Sequence, residues 1–286
     1  WSQIVGKVKM SETPLINHWW NVALFVGPDG LTTGSIPTDR GAFELRLDVH
    51  RERLVLLTSE GRTDGFDLND QSVRSFYEEL TGLLEAHRIE TRIWPMPVEV
   101  PDPITPFTED VAHAAYDAAT TRALWQALLE IDRTFTAFRA RFLGKVSPVN
   151  FYWGAFDLAV TRFSGREAPL HPGGVPNCAD WVMHEAYSHE VSSAGFWPGA
   201  GLGEAAFYSY AYPEPDRYRE ATVEVDGAYF DENLGEFVLP YERVRSSDAP
   251  GEHLMRFLQS TYEAAADLGN WDRDRLERST DYRPDH

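Results

Sequence analysis

The stretch Gly144-Lys145-Val146-Ser147-Pro148-Val149-Asn150-Phe151-Tyr152-Trp153 decides the reading of this chain, because its pattern occurs twice. The earlier copy runs Gly6-Lys7-Val8, then Pro14, then Asn17-His18-Trp19-Trp20. Each copy is a G-K-V, a proline and an N-x-x-W that opens an apolar run, over 20–26 in one and 153–160 in the other. A long helical pattern precedes Gly144, whereas only Gln3-Ile4-Val5 precedes Gly6. The first half is therefore expected to begin at the tail of its opening helix. Residue 1 is Trp with no signal-peptide pattern after it, so a segment upstream is also expected.

The parallel continues outward from these blocks. Phe43, Leu45, Leu47 and Val49 alternate with Glu44, Arg46 and Asp48, the period of a half-buried strand, and 54–59 supplies its hairpin partner. Residues 206–212 and 236–239 take the corresponding places in the second half. Each half then closes with a helix. The first has Asp70 as its expected N-cap and a stripe through Phe76, Leu80 and Leu84. The second starts at Asp248 with Pro250 in its first turn, carries Leu254, Phe257, Leu258 and Ala265, and stops at Gly269. Between the halves, five prolines over 94–106 forbid helix and sheet interior and predict a stiff extended connector. Leu124, Leu128, Ile131, Phe135, Phe138 and Phe142 then mark a long amphipathic helix, with Asp117 as N-cap and Gly144 beyond its end. The predicted fold is α+β: two pseudo-repeated halves, each of antiparallel strands with packed helices, over 1–94 and 111–270. The connector takes 95–110 and a charged tail 271–286.

Composition narrows the function classes. The chain has 286 residues and a net charge of −19, which repels polyanions and argues against nucleic acid or an anionic membrane surface as partner. Hydrophobic residues make up 43% and aromatics 13%, which predicts a bulky core rather than an acidic disordered chain. The single cysteine, Cys178, excludes intrachain disulfides and cysteine-based metal clusters. No apolar run approaches the ~18–20 residues of a membrane span, so a cytoplasmic protein with a small-molecule ligand is expected. The sequence carries no signal for oligomeric state.

Four blocks carry a resemblance over nearly the whole chain: NHWW at 17–20, RIWPMPVEVPDP at 92–103, FDLAVTRFSGR at 156–166 and AYSHEVSSAGFWPG at 186–199. Through them the chain resembles a bacterial family known only as a domain of unknown function. That resemblance implies membership and assigns no catalytic residue, so the chemistry is read from the residues themselves.

The densest polar cluster is His184-Glu185-Ala186-Tyr187-Ser188-His189-Glu190. Its second histidine lies five residues after the first, where H-E-x-x-H needs four. Neither a helix nor a strand would gather three ligands from it, so His18, opposite Phe151 in the repeat, is the natural further donor. A divalent transition metal is the candidate cofactor, with His189, Glu190 and His18 as ligands and His184 and Glu185 as weaker ones. Without a metal, His189 would act as general base and Glu190 would orient it. Arg162 is the expected clamp for an anionic substrate group, against the plainer reading of an internal ion pair with Asp157 or Glu190 as the acid. Trp197, in an expected pocket loop over 192–201, and Trp20, Trp153 and Asn17 complete the candidate binding residues. The leading expectation is an enzyme acting on a small molecule where the halves meet. The alternative is a non-catalytic small-molecule-binding protein or scaffold whose His/Glu cluster is structural. No G-x-S-x-G elbow supports a serine triad, and Cys178 lacks a basic neighbour in sequence.

Overall fold

The computed structural model describes residues 1–101, 103–199 and 202–279. The chain is α+β, and its described residues form two antiparallel sheets of six strands each. It opens with α1 (Ser2–Glu12) and a 3₁₀ turn over Asn17–Trp19. The first sheet follows: β1 (Phe25–Gly27), β2 (Gly30–Thr32), β3 (Ile36–Thr38), β4 (Gly41–Asp48), β5 (Arg53–Thr58) and β6 (Thr63–Asp67). Its order is β1-β2-β4-β5-β6, with β3 also paired to β4. Next come α2 (Val73–Ala86), the proline-rich connector, α3 (Ala118–Ala140), β7 (Asn150–Tyr152), β8 (Asp157–Glu167) and α4 (Asp180–Ala186). The chain then forms β9 (His189–Trp197), β10 (Ala206–Tyr212), β11 (Tyr229–Asp231) and β12 (Glu236–Pro240). It closes with α5 (Tyr241–Arg245), α6 (Pro250–Leu268) and α7 (Arg273–Leu276). The second sheet has the order β11-β12-β10-β9-β8-β7.

Two units share the chain. The first comprises 1–129, 151–155 and 173–182; the second comprises 130–150, 156–172 and 183–286. In the first, the alternation read from sequence is the β4–β5 hairpin: Leu45 lies opposite Leu56, and both are fully buried. The connector, with no helix or strand in its described part, is held to α1 by Gln3, whose amide both donates to Val98 O (3.0 Å) and accepts from Val98 N (2.9 Å). In the second unit, α6 buries Leu254, Phe257, Leu258 and Ala265, and the end of α3 buries Ile131, Phe135 and Phe138. Asp117 caps α3 as its sequence implies, accepting from Thr120 N at 2.6 Å.

Several local expectations are corrected. Gly6-Lys7-Val8 lies inside α1, whereas Gly144-Lys145-Val146 follows α3, so the shared letters occupy different kinds of structure. Gly6 stops no helix. Trp153 packs against it, where a Cβ would overlap indole Cδ1 and Nε1, while the indole N–H donates to Val22 O (2.9 Å). Asn17-His18-Trp19, the block likened to Asn150-Phe151-Tyr152 of β7, forms a 3₁₀ turn in which His18 and Trp19 both take positive φ (59° and 61°). Ser72, one of the two residues nearest Val73, caps α2 through Ser75 N (3.1 Å), while Asp70 accepts from Tyr116 N. Ala249, and not Asp248, occupies the N-cap of α6. Residues 192–197, expected in a pocket loop, lie in β9, where the small residues are buried between neighbouring strands. Positions 200–201 of that expected loop, Asp102 of the connector and 280–286 of the tail lie outside the described residues.

The Gly6 contact separates two glycines in helices. Gly6→Ala forces the indole of Trp153 to move and should cost about 1–3 kcal/mol. Gly82→Ala, in α2 with nothing within 4 Å of the new methyl, should instead gain up to about 1 kcal/mol from helix propensity. Urea denaturation of both variants beside the parent checks the pair.

Candidate functional site

His184 and Glu185 sit on α4, and His189 and Glu190 open β9. Successive strand residues face opposite sides, so Glu190 cannot orient His189 as the sequence suggested. Glu190 Oε2 accepts from Ser164 Oγ (2.8 Å) and from Arg166 Nε (2.8 Å) and Nη2 (2.6 Å), while His189 Nδ1 meets Ser188 Oγ at 3.1 Å. His18, 5% exposed, belongs to the first unit, with its ring 5.5 Å from Trp20. Among the described residues no three or more His, Cys, Asp or Glu side chains gather as a metal ion requires, so the expected ligand set is not assembled. Asn17 is exposed, and Trp153 is the packing partner of Gly6.

Arg162 is enclosed by core. It is 1% exposed, its guanidinium lies 3.5 Å from the Phe138 ring centroid and 4.2 Å from that of Tyr262, and Nη2 donates to Phe138 O at 2.6 Å. Burial lowers its pKa to about 10, so it stays charged at neutral pH and is held mainly by ring faces. Asp157 and Glu190 both have other partners. The arginine that pairs with Glu190 is Arg166, which also donates to Gly269 O and Asn270 O at the end of α6. This pair lines a small groove of about 120 Å³, together with Tyr212, Pro213, Leu268 and Trp271.

A richer arrangement lies on one face of the second sheet. Registry sets Ala159 beside Gly195 and Gly195 beside Tyr208, with Tyr208 opposite Val238. Alternation therefore puts Asp157 and Thr161 of β8, Ser193 and Trp197 of β9, Tyr208 and Tyr210 of β10, and Glu236 of β12 on that same face. Gly195 is needed there: a Cβ would overlap the Tyr208 ring. With Gly195 beneath it, Tyr208 crosses β9 and donates its hydroxyl to Asp157 Oδ2 in a short hydrogen bond. Trp197 packs 4.4 Å from the Tyr208 ring rather than lining a loop pocket. Tyr210 and Tyr187 share a hydrogen bond of 2.6 Å, and Thr161 and Ser193 another of 2.8 Å.

The electrostatics of this face are those of a proton reservoir. Glu236 Oε2 is buried and has no hydrogen-bond partner among the described residues. Burial, reinforced by Asp157 and Asp231, raises its pKa to about 8, so the carboxyl is largely protonated at neutral pH. Burial, helped by the neighbouring acids and phenols, pushes Tyr208 and Tyr210 well above the ordinary tyrosine range and keeps them hydrogen-bond donors. Sequence reading missed Glu236 and the tyrosines. The signal was present in Phe207-Tyr208-Ser209-Tyr210-Ala211-Tyr212, where three tyrosines recur with period two.

The molecule is thus an α+β protein with two six-stranded antiparallel sheets, one of which presents tyrosines and carboxyls together. The chain belongs to a family whose model matches residues 1–278, described as Family of unknown function (DUF5996). Neither a curated protein nor a solved structure matches the chain. Among the described residues no helix is long and apolar enough to cross a membrane.

Glu236 makes stability depend on pH with a definite sign. Its folded pKa is raised, so between about 4.5 and about 8 the folded chain holds a proton that the unfolded chain has released. Its contribution is full below pH ~4.5 and falls as pH rises toward 8, by on the order of 2–4 kcal/mol after allowance for partial exposure. Glu236→Gln should flatten that slope in urea titrations run from pH 5 to 9.

Proposed function

We propose that the protein is an enzyme acting on a small polar molecule at the tyrosine and carboxyl face of its second sheet. Glu236 is its general acid: a carboxyl that keeps its proton at neutral pH can pass it to a substrate oxygen. Tyr208, held by Asp157, and Tyr210, held by Tyr187, are the hydrogen-bond donors that orient that substrate, and Trp197 backs the Tyr208 ring. The observation that carries this reading is the buried Glu236 Oε2 without a hydrogen-bond partner among the described residues, since such an atom costs stability unless something else uses it. The reading places the chain in the cytoplasm, and its net charge of −19 keeps nucleic acid and anionic membranes outside its partners. Non-catalytic binding is the second reading. It is favoured by the two phenols, which serve recognition as well as catalysis.

A thermal-shift screen of polar metabolites against the parent protein, Glu236→Gln and Tyr208→Phe tests both readings. A ligand that stabilises the parent should lose about 1–2 kcal/mol of binding with Tyr208→Phe, the value of one hydrogen bond. If that ligand is turned over by the parent and merely bound by Glu236→Gln, the acid role holds. If no hit depends on either residue, the site lies elsewhere.

A further inference from the structure

The chain contains only three lysines, Lys7, Lys9 and Lys145, beside 23 arginines. All three lie out of full solvent exposure: Lys7 is 1% exposed, Lys9 is 6% exposed, and Lys145 is half-buried with its ammonium 5.0 Å from the Phe163 ring. Wherever a fixed surface cation suffices, this chain uses arginine. An amine differs from a guanidinium in that it can give up its proton and become a nucleophile.

Lys7 and Lys9 differ in how they are satisfied. Lys9 Nζ donates to Ala23 O and lies 4.3 Å from the Phe25 ring. Lys7 Nζ lies 5.3 Å from the Trp94 ring centroid and 5.7 Å from that of Trp153, with no hydrogen-bond acceptor among the described residues. Trp153 is fixed against Gly6, one residue away, and Trp94 belongs to the connector that Gln3 clamps to the same helix. Trp94 is 59% exposed, so one wall of the amine's surroundings faces solvent. The ionisable group that acts on Lys7 is the Cys178 thiol, itself pushed up by burial and by Glu99 and Asp180. Desolvation lowers Lys7 and Lys9 alike to about 8, which leaves each a useful fraction of neutral amine near neutral pH, so the hydrogen bond to Ala23 O is what sets Lys9 apart.

We infer that Lys7 is a reactive amine that captures a small aldehyde or ketone as an imine, in a site walled by Trp94 and Trp153. This is independent of the chemistry proposed for Glu236. The neutral Nζ adds to the carbonyl carbon, the C=O electron pair moves to oxygen, and the oxygen takes a proton. The resulting carbinolamine loses its oxygen as water, which carries away the two amine hydrogens overall, and a C=N bond remains. Hydrolysis reverses the step, so no oxidant or reductant takes part.

The test is reductive trapping. The full chain is incubated with acetaldehyde and cyanoborohydride at pH 8, and the three lysine peptides are followed by mass spectrometry. Alkylation of Lys7 should exceed that of Lys9 by about ten-fold, the factor that one hydrogen bond to an ammonium holds back. Lys7→Arg, which keeps a cation between the indoles, should abolish the Lys7 signal. If that variant does not fold, the relative rates in the parent decide. Alkylation of Lys7 no faster than of Lys9, or only in urea-unfolded chain, would overturn the inference.

Discussion

An aspartate inside an antiparallel sheet has to be met by a donor, and the arrangement of the second unit follows from how Asp157 is met. Tyr208 supplies one, by lying across β9, and it can do so only because position 195 is glycine. That one crossing fixes the rest: the ring becomes a surface for Trp197, and β10 is held with its alternate tyrosines turned to the same side. Glu236 is then left among acids and phenols, where keeping its proton costs less than ionising. The polar face results from packing as much as from charge.

The buried cations follow a related logic. Arg162 and Lys7 have aromatic faces as near neighbours in place of carboxylates, although acids outnumber bases in the chain. A ring face attracts a cation without bringing a second charge out of water, so the desolvation penalty is incurred once. The carboxylates are thereby released to the surface and to the second sheet. For Arg162 the outcome is a rigid joint between β8 and the end of α3, since its one strong hydrogen bond goes to the carbonyl of Phe138.

Regular alternation made much of the fold legible in the sequence. The β4–β5 hairpin, the strands at 206–212 and 236–240, and the stripes of α2, α3 and α6 are all written in periods of two or about 3.6. The site was much less so. His184 to Glu190 looked like one constellation because the residues are contiguous, yet the chain passes from helix to strand within them and sends their side chains to different places. Conversely, Asp157, Tyr208 and Glu236 are far apart in sequence and meet only through strand register. The glycines misled in the same way: Gly6 reads as lying beside the tail of a helix and Gly195 as part of a loop, when each is a space left for a ring from elsewhere in the chain. Such long-range contacts leave no local periodicity to read.

The first unit takes in residues 151–155 and 173–182, well after the chain has begun the second. During synthesis, the N-terminal 129 residues leave the ribosome without Trp153 to cover Gly6 and without Phe151 to pair with Leu24. The early part must wait, incompletely covered, until about fifty further residues have emerged. Neither unit can be severed from the other by a single cut in the polypeptide, so the chain is made as one piece and matures as one.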